Sequence, residues 1–294
     1  MVMKIVLFGS RGQLGTRLAG ALGCFAEVVG LDHAALDLTR PEEVRARLKA
    51  ERPHVVVNAA AYTDVDGAER DEATATRVNG DSVGAMGEVC RELRAGLVHF
   101  STDFVFDGRA RVPYREDAAT APLGAYGRSK LAGEKALAAS DAPAVVLRTA
   151  WVYSPRRKSF VASILRLARE REALQVVADQ SGNPTFAGDL ASAAALIVHG
   201  VRADPYGALH EARGIYHLAG GGVATRFELA EATVALDPRR QEHKVTRLEP
   251  VPTSAFPLPA ARPAFAPLDC AKARARFGVE LPPWRDALAR ALSE

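Results

Sequence analysis

Tyr126 and Lys130, in the stretch Tyr-Gly-Arg-Ser-Lys, stand four residues apart. On a helix that spacing puts both side chains on one face, a single turn from each other. A buried ammonium beside a phenol favours the tyrosinate, so the Tyr126 pKa is expected to fall from about 10 toward the working range. Such a phenol can protonate a carbonyl being reduced, or accept a proton from an alcohol being oxidised. The spacing also occurs on solvated helix faces without any chemistry, so its meaning depends on what surrounds it.

Three other stretches supply that context. Val98-His99-Phe100-Ser101-Thr102-Asp103 is an apolar run that delivers a hydroxyl and a carboxylate at its end. Thr102 could donate to a substrate oxygen as negative charge develops there, although Ser-Thr-Asp is also an ordinary turn or cap. Lys4 to Phe8 is a short apolar run followed directly by Gly9-Ser10-Arg11-Gly12-Gln13-Leu14-Gly15, after which Leu14, Leu18 and Leu22 recur at helical spacing. The order is strand, glycine turn, helix, and it suits a pyrophosphate. Glycines permit close backbone approach, and a helix N-terminus offers unpaired N–H groups. The glycine spacing is GxxGxxG, an imperfect match to the usual dinucleotide fingerprint. Val28 to Asp32 reads as the next strand, ending in an acid about 20 residues past the turn, where ribose hydroxyls would be bound. Asp32 would repel a 2′-phosphate and Arg11 would attract one, so these two leave NADH against NADPH open. His33 and Asp37 are further polar candidates near an adenosine.

The elements that would position these groups are legible as an alternation. Val44 and Leu48 mark a helix before a strand at Val55, and a helix over Val83 to Leu93 precedes the strand at Leu97. The helix from Tyr126 to Ala139 precedes a strand from Ala144 to Tyr153. Repeated strand–helix–strand units imply a parallel sheet with helices on both faces, a doubly wound Rossmann-type α/β fold. Beyond Tyr153 the pattern changes to a smaller α/β unit. Phe160, Ile164 and Leu167 define a helix, Leu174 to Ala178 a strand, Leu190 to Val198 a helix and Gly214 to Leu218 a strand. Thr225 with Glu228 is a capping box opening a helix to Leu236. Pro250 to Pro267 is too proline-rich for a regular helix or central strand, and is read as a rigid wall over a cleft. Trp284, Leu288 and Leu292 form a terminal helical stripe. The expected division is a dinucleotide-binding domain at 1–152, with 188–219 returning to it, and a substrate domain at 153–187 and 220–294.

These residues together resemble the extended short-chain dehydrogenase/reductase family. Val55 to Asp66 is similar to its third-to-fourth strand region, Ser101 to Gly108 to its substrate loop, and Arg148 to Tyr153 to its next core strand. Asp179-Gln180-Ser181-Gly182-Asn183-Pro184-Thr185, Val251 to Pro257 and Ala261-Arg262-Pro263 are similar to one subfamily, the dTDP-4-dehydrorhamnose reductases. The resemblance implies reduction of the 4-keto group of a dTDP-deoxysugar by NADPH or NADH, with Tyr126, Lys130 and Thr102 catalytic. It implies cofactor contacts from Gly9, Arg11, Gly12, Gln13, Leu14, Gly15, Asp32, Asp37, Leu38, Ala61, Tyr62 and Thr63, besides Tyr126 and Lys130. It implies substrate contacts from Thr102, Asp103, Val105, Tyr126, Trp151 and Arg262. Some members dimerise around a magnesium ion held partly by an acid just after the glycine loop. Here Thr16 and Arg17 follow, and no metal site is expected. Two alternatives stay open: a ketoreductase for a different nucleotide-deoxysugar, and a non-catalytic NADP-binding regulatory subunit of the methionine adenosyltransferase type.

Composition narrows the partners. With 294 residues, 48% hydrophobic, the chain can bury one large or two modest cores. The formal charge of +3 is interspersed rather than blocked, and only 6% of residues are aromatic. A small anionic ligand fits that better than nucleic acid. Cys24, Cys90 and Cys270 are too scattered for a metal or redox pair, and reduced thiols are expected. No run approaches the roughly 20 apolar residues of a membrane span, and with a strand read from Lys4 onward no signal segment is expected. The expectation is a cytoplasmic monomer or weak homodimer.

Overall fold

A computed structural model describes residues 2–294. The chain opens with β1 (Lys4–Phe8), α1 (Gln13–Gly23), β2 (Glu27–Leu31), α2 (Pro41–Glu51) and β3 (Val55–Asn58). Two short helices, α3 (Val65–Arg70) and α4 (Glu72–Thr76), lead through a π-turn into α5 (Ser82–Leu93). Then come β4 (Gly96–Thr102), α6 (Ala125–Ala139), β5 (Ala144–Thr149) and β6 (Val152–Tyr153). The second half holds α7 (Phe160–Glu170), β7 (Ala173–Val177), β8 (Ser181–Gly182), β9 (Thr185–Phe186), α8 (Ala187–Gly200), α9 (Pro205–Glu211) and β10 (Gly214–His217). It ends with β11 (Ala224–Thr225), α10 (Arg226–Leu236), β12 (Arg247–Val251), α11 (Ala271–Phe277) and α12 (Trp284–Ser293).

Six strands form one sheet in the order β10-β5-β4-β3-β1-β2, every pair parallel. The valine-rich strands β3 and β4 are buried along their whole length, as a sheet covered on both faces requires. Alternation along β1 splits the core. Ile5 and Leu7 face Leu14, Leu18 and Leu22 of α1, while Val6 and Phe8 face Val44 and Leu48 of α2 and Met86 of α5. The expected Rossmann-type architecture is the one found. α8 packs along α1, β10 closes one sheet edge, and Ala273, Val279 and Leu281 also reach back into the core beneath the sheet.

Outside the main sheet the strands form two-stranded pairs, β11 with β8, β12 with β7 and β6 with β9. Pro250 lies within β12, which pairs with β7 in a two-stranded sheet; a proline is tolerated on such an edge. The capping box at Thr225 and Glu228 opens α10, and Trp284 and Leu288 are buried as their stripe predicts. Two features depart from expectation. The strand read as continuous from Ala144 to Tyr153 breaks at Trp151, whose φ is 45°, so β5 and β6 pair with different partners. The short helix α9 was not anticipated; Asp204 caps it and Pro205 fills its first turn.

Candidate active site

The glycine turn lies beyond the C-terminal end of β1. Gly9 has φ 76°, and a Cβ there would come within 2.8 Å of the Ala60 nitrogen. A Cβ on Gly15 would lie 1.9 Å from the Gly9 carbonyl oxygen. These close approaches require glycine. Gly12 is the N-cap of α1, and no side chain caps the helix. The turn therefore presents backbone N–H groups and the positive end of a helix dipole, a suitable cradle for a phosphate. Both Gly9 N–H and Ser10 N–H donate to the Leu31 carbonyl, at 2.8 and 3.2 Å, tying the turn to the end of β2. Gln13 donates to the Val152 carbonyl at 2.9 Å, and the Leu14 side chain packs beneath the turn.

Asp32 sits at the end of β2, accepting from the Ala34 and Ala35 N–H groups at 3.0 Å each. These bonds lower its pKa. Arg11, which alone would draw a 2′-phosphate, instead lies 3.0 Å from Asp32, so the two opposed charges offset each other. Asp37 is occupied by Thr39, and the Leu38 carbonyl accepts from Ser82. Ala61, Tyr62 and Thr63 lie in the loop after β3. Asn79 clamps that loop, accepting from Tyr62 N–H at 2.9 Å while donating to the Tyr62 carbonyl and to Ser129 on α6.

The acid–base cluster forms where α6 packs on β4. Thr102 ends β4, and its hydroxyl donates to Asp103 at 3.0 Å. The Tyr126 phenol faces the Thr102 hydroxyl, and Asp103 is near enough to disfavour the tyrosinate. The Phe104 ring stands edge-on to Tyr126. Lys130, 2% exposed, reaches back to β4 and donates to the Phe100 carbonyl at 2.7 Å. Behind it Glu134 and Arg148 form a fully buried ion pair with a second oxygen–nitrogen bond at 2.9 Å, and Ser101 donates to Glu134.

One expectation about this cluster is corrected. The Tyr126 pKa is not lowered; burial pushes it up to about 12, against a smaller opposing pull from Thr102. Burial also brings Lys130 down to about 8, with Glu134 opposing. Both sit on α6, but the amine is bonded to the Phe100 carbonyl, and removal from water dominates the shift of each group. Burial likewise raises Asp103 to about 6, and its Oδ2 has no protein partner.

Trp151 follows β5 in the left-handed region, which is costly for a bulky side chain and concentrates at functional sites. A Cβ on Gly182 would lie 2.6 Å from the indole, so that glycine makes room for it. The guanidinium of Arg226 stacks on the Trp151 ring, 3.6 Å from its centroid. Arg262 is held by Asp66 at 2.7 Å, joining α3 to the proline-rich segment. A cavity of about 220 Å³ opens beside it, lined by Gln180, Thr253, Phe256, Leu258, Ala261 and Arg262. Val105 differs from expectation: its side chain is fully buried beside Phe106, Tyr114 and Leu268. It cannot line a cleft.

Sequence reasoning missed Asn58, His99 and Arg226. Among the described residues Arg226 carries no ion pair, and burial brings its pKa down to about 10. Its place at the first turn of a capped helix was legible, but its proximity to Asp103 was not. His99 and Asn58 read as ordinary strand residues. Among the described residues, no group of three or more His, Cys, Asp and Glu side chains is placed to hold a metal ion, and Arg17 pairs with Glu294. No helix is long and apolar enough to cross a membrane.

A parallel sheet ending in a glycine turn, with Thr102 and Tyr126 facing each other at the neighbouring strand end and Lys130 anchored behind them, defines a Rossmann-type fold of the short-chain reductase class. The profile described as "RmlD substrate binding domain" matches residues 3–294. A dTDP-4-dehydrorhamnose reductase of Burkholderia thailandensis is 42% identical over 290 residues, covering 97% of each chain. A Streptomyces antibioticus protein described as a probable dTDP-4,6-dihydroxy-2-methyloxan-3-one 4-ketoreductase is 41% identical over 297 residues, covering 99% of this chain and 95% of that one. The solved structure of a Bacillus anthracis dTDP-4-dehydrorhamnose reductase in complex with NADP superposes with a TM-score of 0.89, at 31% identity, over 100% of this chain and 99% of that one. The chain belongs to the RmlD family of dTDP-4-dehydrorhamnose reductases.

Proposed function

We propose that this protein reduces the 4-keto group of dTDP-4-dehydro-L-rhamnose to give dTDP-L-rhamnose, using NADPH or NADH. A reduced nicotinamide coenzyme supplies the hydride when bound. The steric demand for glycine at Gly9 and Gly15 and the uncapped start of α1 fit its pyrophosphate. Asp32 and Arg11 face its adenosine end, and Tyr62, fixed by Asn79, flanks the cleft. Lys130 holds the nicotinamide ribose. Tyr126 donates its phenolic proton to the oxygen formed at C4, and Thr102 hydrogen-bonds the same oxygen. Asp103 and Trp151 orient the sugar, and Arg226 and Arg262 face its diphosphate. The cavity beside Arg262 receives the base. Residues 1–152 with 188–219 form the coenzyme half and 153–187 with 220–294 the substrate half, except that Ala273, Val279 and Leu281 pack into the core of the coenzyme half. The working protein is a cytoplasmic monomer or weak homodimer.

The observation that carries this reading is that Tyr126 of α6 faces Thr102 at the end of β4, while Lys130, one turn further along α6, is anchored on the Phe100 carbonyl of the same strand. A high Tyr126 pKa suits the proposed direction, because the phenol stays protonated and ready to donate. Tyr126→Phe should lower kcat by about 10²–10⁴-fold while leaving NADPH affinity, read by fluorescence titration, nearly unchanged. Turnover at the wild-type rate would overturn the assignment. The Streptomyces antibioticus relative favours a second reading, in which the substrate is a different dTDP-deoxysugar with the same 4-keto group. Coenzyme oxidation measured across a panel of dTDP-4-keto sugars separates the two.

A further inference from the structure

His99 lies wholly buried in β4, between Asn58 of β3 and Lys130 of α6. The orientation of the Asn58 amide follows from its partners. Its Oδ1 accepts from the Ala60 N–H at 3.1 Å, which leaves the NH₂ end facing His99 Nδ1 at 3.0 Å. Nδ1 must therefore accept. A neutral imidazole that accepts at one nitrogen carries its proton on the other, and burial keeps this ring neutral. His99 consequently presents Nε2–H, and it presents it to Lys130, whose Nζ is 3.4 Å away.

That contact is unusual for a lysine. An ammonium has three N–H donors and no acceptor, so a charged Lys130 meets Nε2–H donor against donor. One of its hydrogens goes to the Phe100 carbonyl. The other two cannot be satisfied by the ring. We propose that His99, with its tautomer fixed by Asn58, is a positioning residue for Lys130. It turns the free ammonium hydrogens away from the strand, toward the cleft face shared with Tyr126, and eases release of a proton from the amine. The inference rests on Lys130 serving Tyr126 as described under the proposed function.

The other groups around the amine leave this role to His99. Glu134, one turn along α6, favours the charged amine, but both its oxygens are engaged by Arg148 from β5 and one also by Ser101. Asp103, after β4, acts on Tyr126. Asn58 reaches the amine only through the ring.

Two substitutions test the tautomer from opposite sides. His99→Leu removes the donor. Asn58→Asp places an acceptor against Nδ1, which moves the ring proton there and leaves the Nε2 lone pair to accept from the ammonium. Both should move the alkaline limb of kcat upward by about one pH unit, giving up to tenfold more of the maximal rate above the wild-type limb. A merely structural residue would lower the rate or the melting temperature without moving the limb. If the variants fold and the limb stays put, the proposal fails. Nitrogen-15 NMR of histidine-labelled wild-type protein supplies a readout independent of both variants. His99 should show an unprotonated Nδ1 and a protonated Nε2, and the reverse assignment overturns the proposal. If the wild-type protein reduces no dTDP-4-keto sugar with either coenzyme, the reading of Lys130 falls and takes the positioning role with it, while the NMR result still reports the tautomer.

Discussion

At the scale of single residues, burial rather than charge pairing sets the chemistry of the cleft. The spacing of Tyr126 and Lys130 made their place on one helix legible in the sequence. The direction of the tyrosine's shift was not legible, because spacing along a helix says nothing about how much water reaches it. Asp103 shows the same principle, with a stability consequence. Its folded pKa of about 6 lies above the ordinary value of 3.8. Below the lower value both folded and unfolded forms are protonated, and the site imposes no penalty. As pH rises toward 6 the unfolded chain releases its proton first, so folding stability falls, by roughly 3 kcal/mol at about 1.4 kcal/mol per pKa unit. Asp103→Asn has no carboxylate to ionise. Its stability relative to wild type should therefore grow between pH 4 and 6 and level off above, as urea unfolding at a series of pH values would reveal. An offset independent of pH would contradict this account.

Elements with a strong period were readable in advance, and those made by tertiary contact were not. The stripes Leu14-Leu18-Leu22 and Trp284-Leu288 gave α1 and α12 because their burial is local in sequence. The break at Trp151 and the two-residue strands β6, β8 and β9 depend on partners far along the chain, such as Val152 with Thr185. The glycine turn was readable because steric need leaves a residue-type signature, whereas Arg226 left none. Gly182 tests how firmly these contacts hold the aromatic wall. Gly182→Ala puts a methyl group against the indole at a distance no real contact shows. The indole must move, so the KM for the dTDP-sugar should rise by about tenfold, at a stability cost of roughly 1–3 kcal/mol typical of overpacking. NADPH affinity should stay level. An unchanged KM, with a tryptophan fluorescence change showing that the indole has moved, would mean that the ring does not contact the sugar.

Across the whole molecule, the segment from Pro250 to Pro267 connects regions distant in sequence. Thr253 is bonded to Asp179 and Gln180, Phe265 donates to the Gly108 carbonyl, and Ser181 donates to the Ala264 carbonyl. Asp66, from the first half, accepts from the Ala260 N–H at 3.1 Å and binds Arg262. The sequence showed that this stretch must be irregular; it could not show that single side chains would pin it at both ends. Asp66→Ala should raise amide exchange at Ala260 by at least about tenfold, since the bond and its charged anchor are lost together. Exchange around Thr253 should change far less. Equal loosening along the segment would mean that its ends are not held independently.

The double acceptance by the Leu31 carbonyl reaches beyond the turn it anchors. One peptide group spaces the glycine turn from the acid that begins the following loop, so in the proposed coenzyme site the two ends of an adenosine half would meet a ruler of fixed length. A residue inserted after Phe8 or after Leu31 would alter that gauge on one side alone. A length change on the far side of Asp32, where Asp37 and Thr39 close a turn of their own, would leave that gauge untouched.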